Sequence, residues 1–275
     1  MKKEGTVFNS IAEICQDHVS YRKQILKFAK ADLDKSYRGS LLGWAWALVK
    51  PSVTIFVFWF AISIGLRHGG NINGYPFFLW LIAGFIPWFY MRDMINSGTG
   101  CLRSNRNLIT KMKFPLSLIP TFTSLSKLTI HLFLLAAMII IYIIAGYPPD
   151  IYYLQLPLYI FMMVLWFTIW ALFGGILAAM SKDFLNLIKS LSQALFWLSG
   201  IIYDVSTINI SWLRSVLSYN PVTIAATCYR HTFVDKIWFF EDLYMLRCYG
   251  IMLLAVLIAA IWAYRKFAKD VPDVI

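Results

Sequence analysis

The sequence predicts an all-α integral membrane protein. Of its 275 residues, 59% are hydrophobic and only 14% are charged, and the mean hydropathy is +0.64. Soluble domains have about 25% charged residues. The chain also contains repeated apolar runs close to the roughly 20 residues that a helix needs to cross a bilayer. Backbone groups find no water partners in lipid, so such runs are helical, and the alternation typical of a transmembrane β-barrel is missing from the sequence.

Six apolar runs are predicted to cross the membrane. They lie at 45–66, 75–91, 128–146, 154–180, 184–203 and 248–264. The first 40 residues are charged, and the first run ends without a small-residue cleavage pattern, so we expect no removable signal peptide. The chain is therefore divided into an N-terminal segment, 1–40, and a transmembrane domain, 41–275.

The positions of Lys and Arg predict the orientation. With these spans, all but five of the 25 basic residues fall on the side that holds both termini. The exceptions are Arg67, Arg214, Arg230, Lys236 and Arg247. By the positive-inside rule both termini are cytoplasmic. The net charge of +11 then reflects topology and attraction to lipid headgroups, and we expect no nucleic-acid partner.

The sequence offers no convincing catalytic or metal-binding pattern. It lacks GxxxxGK[ST], HExxH, GxSxG and CxxC, and its histidines are scattered. His131 falls within a predicted span and is expected to pack between helices. Cys228 and Cys248 on the outer side form either a disulfide or two buried thiols. Because no nucleotide site is present, a chain that does mechanical work would need a motor on a separate subunit.

The segment 21–37 is predicted to be an amphipathic helix at the inner membrane surface. Apolar residues including Ile25, Phe28 and Leu33 recur at helical spacing, with lysines around them. Such a helix is either a simple membrane anchor or also a contact for a cytoplasmic partner.

The inner loop 101–120 is too patterned for a bare hairpin. Asn105 or Asn107 is predicted to cap a short helix, and Pro115 and Pro120 to limit its continuation into the third span. Its apolar ridge is Leu108, Ile109 and Met112, and the basic residues around it are Arg103, Arg106, Lys111 and Lys113. The loop is either a helix that docks into another protein or a second interfacial helix.

The fifth span carries the clearest polar face. Asn186, Lys189, Ser190 and Gln193 recur at helical spacing and are continued by Trp197. This face contacts another helix or lines a water-filled path.

Several aromatic residues lie deeper than the interfacial belts. They are Phe56, Trp59 and Phe60 in the first span and Phe196 and Trp197 in the fifth. Their rings either offer flat faces to sugar rings that slide past or simply pack against lipid.

The outer segment 204–247 contains two short apolar stretches. "SWLRSVLSY" and "VTIAATCY" flank Asn220-Pro221, a turn signal. We predict a re-entrant helical hairpin that dips into the outer leaflet. Because irregular backbone at that depth must be covered by protein or water, the hairpin is expected at a subunit interface or channel mouth.

Three stretches resemble the transmembrane subunits of ABC-2 type polysaccharide exporters. They are "KSYRGSLLGWAWALVKP" at 35–51, "LITKMKFPLSLIP" at 108–120 and "YNPVTIAATCYRHTF" at 219–233. "FWFAISIGLRHG", "GYPP" and "WFFEDLY" look most like wall teichoic acid exporters of Gram-positive bacteria, whereas the first stretch is more similar to O-antigen and capsule exporters.

The resemblance implies a homodimer in the bacterial cytoplasmic membrane, bound to two copies of a P-loop ATPase subunit. It would move an undecaprenyl-pyrophosphate-linked polysaccharide outward, with wall teichoic acid favoured and O-antigen or capsule as further candidates. ATP and Mg²⁺ would bind the partner, and this chain would be a transporter subunit without a cofactor or catalytic residues. Leu108, Ile109, Lys111 and Met112 would couple the chain to the ATPase, and the first and fifth spans would line the pore.

The resemblance also gives a role to the residues before the first span. Tyr37 and Arg38 would lie at the inner headgroup plane, where a cation suits a pyrophosphate or an acidic surface of the motor. Gly43 would allow close helix approach, Trp44 and Trp46 would anchor the depth, and Pro51 would begin a tilted span.

Two other functions remain possible from the sequence. An ABC-2 exporter of small lipophilic molecules would share the layout but should tolerate loss of the deep aromatic residues. A membrane-embedded transferase acting on lipid-linked sugars would need an acid or base, for which Asp93, Asp183 and Asp204 are the candidates.

Overall fold

The fold is a bundle of helices. The computed structural model describes residues 7–39, 41–65, 70–112 and 114–275, with side chains from Ile11 onward. The α-helices of this part of the chain are α1 (Val7–Ser20), α2 (Arg22–Tyr37), α3 (Trp46–Phe60), α4 (Phe77–Asp93), α5 (Cys101–Ser104), α6 (Arg106–Thr110), α7 (Leu118–Ile144), α8 (Leu156–Met180), α9 (Lys182–Leu198), α10 (Ser211–Ser218), α11 (Pro221–Arg230), α12 (Leu243–Phe267) and α13 (Val271–Val274).

Short 3₁₀ and π turns extend several of these helices. The 3₁₀ turns are Gly43–Ala45, Ile151–Gln155 and Val205–Thr207, and the π turns are Ala61–Gly65, Met94–Gly98 and His231–Asp235. Between Ile72 and Tyr75 there is an isolated β-bridge, and no strand occurs in the described residues. The all-helical class predicted from the sequence is confirmed for this part of the chain.

In the part of the chain that the structure describes, five helical segments are long and apolar enough to cross a membrane. They are Gly43–Gly65, Phe77–Gly98, Leu118–Ile144, Ile151–Met180 and Leu243–Phe267. These correspond to the first, second, third, fourth and sixth predicted spans. The predicted fifth span, 184–203, is α9, which has 17 residues and ends at Leu198. Its polar face lowers its hydropathy, so the six-span topology stays a prediction.

The prolines near the first and third spans act differently. Pro115 and Pro120 were expected to limit the continuation of the short inner helix into the third span, and α6 does end at Thr110 before α7 begins at Leu118, although Pro120 itself lies in the first turn of α7. The first N–H groups of a helix lack intrahelical partners, so proline is tolerated there. Pro51 was expected to begin the first span, whereas α3 begins at Trp46 and contains Pro51 in its interior.

α4 is the centre of the bundle. Of the apolar stretch in Phe77–Gly98, 83% is buried, against 17% for Gly43–Gly65. α4 packs against α3, α7 and α11, and the following π turn packs against α8 and α9. A helix that is hydrophobic all round belongs inside a large protein or a bilayer, and here protein covers it.

α2 rests on the bundle through its apolar side. Ile25, Ala29 and Leu33 are buried, and Ile25 and Ala29 lie in a cluster with residues of the 114–122 segment. The rings of Tyr21 and Phe28 lie 5.6 and 5.1 Å from that of Phe114. α7 therefore covers the apolar side of α2, and the position of this helix at the membrane surface stays a prediction.

Candidate functional site

Turn residues connect α2 to the first span. The rings of Tyr37 and Trp44 stack with centroids 5.3 Å apart and planes at 25°. Lys50 lies 5.5 Å from the ring centroid of Trp46, within reach of a cation–π contact. Arg38 follows α2 and is exposed. The structure therefore brings Tyr37 and Trp44 together and leaves Arg38 accessible.

Gly43 serves a different purpose from the one predicted. A Cβ placed there would meet nothing within 4 Å in the described residues, so the prediction of close helix approach is wrong for the single chain. Its φ is +48°, in the left-handed region that side chains with a Cβ rarely adopt. The backbone turn into the first span is what favours glycine here.

The inner loop forms two short helices, α5 and α6. Ile109 is only 4% exposed and belongs to the same cluster as Ile25 of α2. Met112 is 64% exposed, Lys111 is exposed and Leu108 is half-buried. The prediction of a fully exposed ridge is therefore corrected at Ile109, which packs into the protein. Lys113 lies outside the described residues.

The predicted asparagine cap of the inner loop is also corrected. Asn105 precedes α6, but its side chain makes no capping hydrogen bond there. Instead, Nδ2 of Asn105 donates to the carbonyl of Cys101, 2.9 Å away, and so closes α5.

α9 has one exposed and one buried face. Its exposed side carries the predicted polar stripe, Asn186, Lys189, Ser190 and Gln193, and ends at Trp197. Ile188, Ser192 and Phe196 are buried on the other side. Oγ of Ser192 lies 3.1 Å from Oδ1 of Asn96 and 2.8 Å from the carbonyl of Lys189 in its own helix, so its single hydroxyl proton has both as acceptors.

The deep aromatic residues divide into two groups. Phe56 and Phe60 on α3 are 57% and 50% exposed, and Trp59 is half-buried. Phe196 is 8% exposed and its ring lies 5.5 Å from that of Trp88. The prediction of a ring open to passing sugars is therefore corrected at Phe196, which is a core side chain.

Phe58 joins the two helices that were predicted to line a path. Its ring centroid lies 5.0 Å from that of Phe196 and 6.1 Å from that of Trp197. α3 and α9 are therefore neighbours.

α10 and α11 form a hairpin with its turn at Asn220. The Asn220 side chain accepts from the backbone N–H of Val222 and donates to the hydroxyl of Ser199 at the end of α9. α11 packs against α4, α8 and α12, whereas α10 is mostly exposed. One arm of the hairpin is thus embedded in its own chain.

Arg230 at the end of α11 was not singled out from the sequence. It is 5% exposed, and its Nη1 and Nη2 donate to the carbonyls of Gly200 and Ile201, each at 2.6 Å. Its guanidinium also lies over the ring of Trp80. The sequence did contain a signal for this role, because Arg230 directly follows the apolar stretch "VTIAATCY". A charged residue in an apolar helix usually has a partner.

His131 and the outer cysteines behave as packing residues. Nε2 of His131 lies 2.5 Å from the hydroxyl of Tyr229, so the prediction that it packs between helices is confirmed. Cys228 and Cys248 are free and buried, which decides between the two alternatives in favour of thiols.

A cavity of about 760 Å³ lies beside the hairpin. Its polar lining residues are Asn73, Asp204, Ser206, Arg214, Ser215, Ser218, Thr223, Thr227, Arg230, His231, Asp235, Asp242 and Tyr244. Among the described residues, no group of His, Cys, Asp and Glu has the arrangement of a metal site.

The sequence is similar to those of known membrane permeases. The profile of the ABC-2 type transporter family matches residues 23–234. The O-antigen export system permease protein RfbA of Myxococcus xanthus is 26% identical over 219 residues, which cover 78% of this chain and 82% of that protein. A protein of the same name from Klebsiella pneumoniae is 22% identical over 228 residues, covering 82% and 85%.

Proposed function

The chain belongs to the ABC-2 type transporter family, and we propose that it is the permease subunit of an exporter that moves an undecaprenyl-pyrophosphate-linked polysaccharide outward across the bacterial cytoplasmic membrane. Several of its relatives are named O-antigen export permeases, and each aligns over more than four-fifths of its own length. That coverage carries the proposal. An O-antigen-type polymer is favoured by these names, and wall teichoic acid by the motifs at 58–69, 146–149 and 238–244.

The exposed face of α9 supports a path beside a second copy of the chain. Lys189 and Gln193 are unsuited to lipid, because a charged side chain at membrane depth faces the bundle interior or water. In a homodimer this face would be covered by its counterpart or line a wet path. The rings of Phe56, Phe60 and Trp197 would then border the same path.

The inner loop supports an external motor. Leu108, Lys111 and Met112 would contact the ATPase, which would bind ATP and Mg²⁺. Ile109 would tie this contact to α2, because both lie in one buried cluster. Movement of the loop would thus be transmitted directly to α2.

The test is to deplete the protein and extract lipid-linked saccharides from the cytoplasmic side. Accumulation of one undecaprenyl-pyrophosphate-linked polymer, with loss of that polymer from the cell surface, is the expected result. The composition of the accumulated polymer separates O-antigen from teichoic acid. Unchanged surface polymers after depletion would contradict the proposal. Purified chain should hydrolyse no ATP until its partner is added.

The alternative functions differ in which substitutions they predict to leave activity unchanged. An exporter of small lipophilic molecules should keep its activity when Phe56 and Phe60 are both replaced by alanine, whereas a polymer exporter should lose rate. For a transferase, at least one of Asp93→Asn, Asp183→Asn and Asp204→Asn should abolish activity. Full function in all three variants excludes that class.

A further inference from the structure

Arg103 connects the inner loop to the end of a long helix. It lies on α5, and its side chain is half-buried. Its Nε donates to the carbonyl of Ala178, and its Nη2 donates to the carbonyl of Ala179, 2.8 Å away. Both alanines are fully buried in the last turn of α8. The sequence placed Arg103 among the basic residues around the apolar ridge, whereas the structure directs its guanidinium to α8.

The two carbonyls need a partner of this kind. The last four carbonyls of a helix have no N–H partner within the helix, and a buried carbonyl without a hydrogen bond is costly. The carbonyl of Leu177 accepts from the backbone N–H of Ser181. Those of Ala178 and Ala179 accept from Arg103. A guanidinium also suits the negative end of the helix dipole, so Arg103 caps α8 from a distant part of the chain.

α8 and α9 meet at a joint of one residue. α8 ends at Met180 and α9 begins at Lys182. Ser181 between them is extended, with φ −140° and ψ 126°, and its hydroxyl accepts from the backbone N–H of Phe184 and so caps α9. Because the carbonyls that Arg103 binds lie just before Ser181, a displacement of Arg103 acts on the joint from which α9 starts.

The beginning of the inner loop packs closely against both helices. A Cβ at Gly175 of α8 would lie 3.3 Å from Cγ of Leu102, so glycine allows α8 to approach α5 closely. Leu185 of α9 lies beside Gly100, where a Cβ would meet its Cδ1 at 3.7 Å. Close-packed interiors transmit strain, so a displacement of α5 is passed on to its neighbours.

α9 is held at both ends by contacts between an arginine and backbone carbonyls. At the far end Arg230 donates to the carbonyls of Gly200 and Ile201, each at 2.6 Å. At the near end Arg103 holds the joint at Ser181. A helix that is fixed at one end and displaced at the other tilts about the fixed end, as in hinge movements of domains. The exposed stripe of α9 would therefore tilt with the helix.

We propose that Arg103 is a positioning residue, which transmits movement of the inner loop through the joint at Ser181 to α9 and so links ATP hydrolysis to opening of the export path. This inference rests on the proposed function. The exposed residues of the loop receive the movement from the ATPase, and Arg103 passes it to α8 and α9. Without this guanidinium the ATPase still binds and hydrolyses ATP, but α9 does not follow the loop.

The test is the amount of polymer exported per ATP hydrolysed by the full exporter. Surface polymer is measured in cells, and ATP hydrolysis is measured on the purified complex. Arg103→Gln removes the charge and the fork, so we expect export to fall about tenfold while hydrolysis stays within about twofold of normal. Arg103→Lys keeps the charge but not the fork and should lower export only about threefold.

Lys182→Gln is the matched control, because it removes one positive charge at an exposed position of the same joint. It should retain export and hydrolysis. A purely structural role of Arg103 would reduce the amount of assembled complex, so export and hydrolysis would fall together and their ratio would stay constant. That result, normal export with Arg103→Gln, or an equal loss of export with Lys182→Gln would overturn the proposal.

Hydrogen exchange on the unchanged complex provides a test that does not depend on a variant folding. Amide exchange is compared between the nucleotide-free complex and the complex with a non-hydrolysable ATP analogue. We expect peptides that cover 101–112 and 181–187 both to change, by about threefold or more, because local opening at the joint follows the loop. Unchanged exchange at 181–187 would overturn the proposal.

The two failures are distinguishable. If depletion of the protein blocks polymer export but Arg103→Gln exports as well as Lys182→Gln, the coupling route is wrong and the exporter stands. If depletion leaves every surface polymer unchanged, the proposed function itself is wrong, and the role of Arg103 falls with it.

Discussion

The guanidinium carbon of Arg230 lies 3.5 Å from the ring centroid of Trp80, inside a contact that joins three helices. Arg230 closes α11, Trp80 belongs to α4, and the carbonyls that Arg230 binds follow α9. A buried cation that both stacks on an aromatic ring and donates to two backbone carbonyls is strongly held. The backbone that follows α9 is therefore held against α11 of the hairpin and against α4.

Gly84 makes room for this contact. A Cβ at position 84 would lie 2.8 Å from Nη2 of Arg230 and 3.0 Å from the carbonyl of Ile201. We expect Gly84→Ala to lower the free energy of unfolding by about 1–3 kcal/mol, the usual effect of overpacking a core. The measurement is thermal unfolding of the purified protein in detergent.

Gly250 on α12 provides the matched control for that experiment. A Cβ there meets nothing within 4 Å in the described residues, so Gly250→Ala should be neutral or stabilise the helix by about 0.5–1 kcal/mol. Equal melting temperatures of the two variants would contradict the role of Gly84.

We expect lysine at position 230 to be unable to maintain this contact. Its ammonium keeps the charge but lacks the planar fork that reaches two carbonyls while stacking on a ring. We expect Arg230→Lys to reduce stability by about 1.5–3 kcal/mol, the range for hydrogen bonds to charged groups. Arg247→Lys, at an exposed position of α12, should change it by less than about 0.5 kcal/mol. A thermal shift of the same size in both variants would count against the contact.

The helices and their approximate positions follow from the sequence because lipid and helix geometry leave few choices. Long apolar runs become helices, and α9 shows the polar stripe that its spacing predicted. Arg230 was assigned only to a side of the membrane, since its partners are backbone carbonyls 27–30 residues away. Carbonyls carry no sequence signature.

Burial was harder to predict than helix formation. The spacing of Ile25, Ala29 and Leu33 gave an amphipathic helix but did not distinguish lipid from the protein surface that α7 provides. Ile109 was taken as exposed for the same reason. An apolar stripe has the same pattern whichever apolar neighbour covers it.

The stability of the outer region should depend on pH through His231. Burial lowers the pKa of His231. The nearby carboxylates of Asp235 and Asp242 act in the opposite direction, but their effect is smaller than that of burial. The folded protein therefore keeps the ring neutral where the unfolded chain, with an ordinary pKa of about 6.5, binds a proton. The free energy of unfolding should therefore fall as the pH drops below about 6.5, by at most about 1.4 kcal/mol per pH unit. Above about pH 6.5, His231 should make no contribution to the pH dependence.

His231→Gln isolates this effect. The variant cannot take up the proton, so its melting temperature should fall less than that of the unchanged protein between about pH 6.5 and pH 5. Parallel curves for the two proteins over this interval would show that His231 does not carry the pH dependence.

Met112 is the most exposed apolar residue of the proposed coupling surface. A carboxylate in an apolar contact must be desolvated, so Met112→Asp should weaken association with the ATPase subunit by roughly 1–3 kcal/mol without unfolding the chain. Co-purification and ATP hydrolysis of the complex measure this loss. Val216→Asp, at an exposed apolar position of α10 in the outer segment, should leave both unchanged. A complex that forms normally with Met112→Asp would remove the residue from the interface.

Arg38 provides a separate test of the segment before the first span. It is exposed directly after α2, next to the stacked rings of Tyr37 and Trp44. Arg38→Glu reverses the charge that is proposed to meet a pyrophosphate, so export should be abolished while the complex with the ATPase still assembles. Lys35→Glu makes the same charge change at an exposed position one turn earlier and should retain export. Normal export with Arg38→Glu would reject its role, and loss of export in both variants would show that net charge, rather than this guanidinium, is what the inner surface requires.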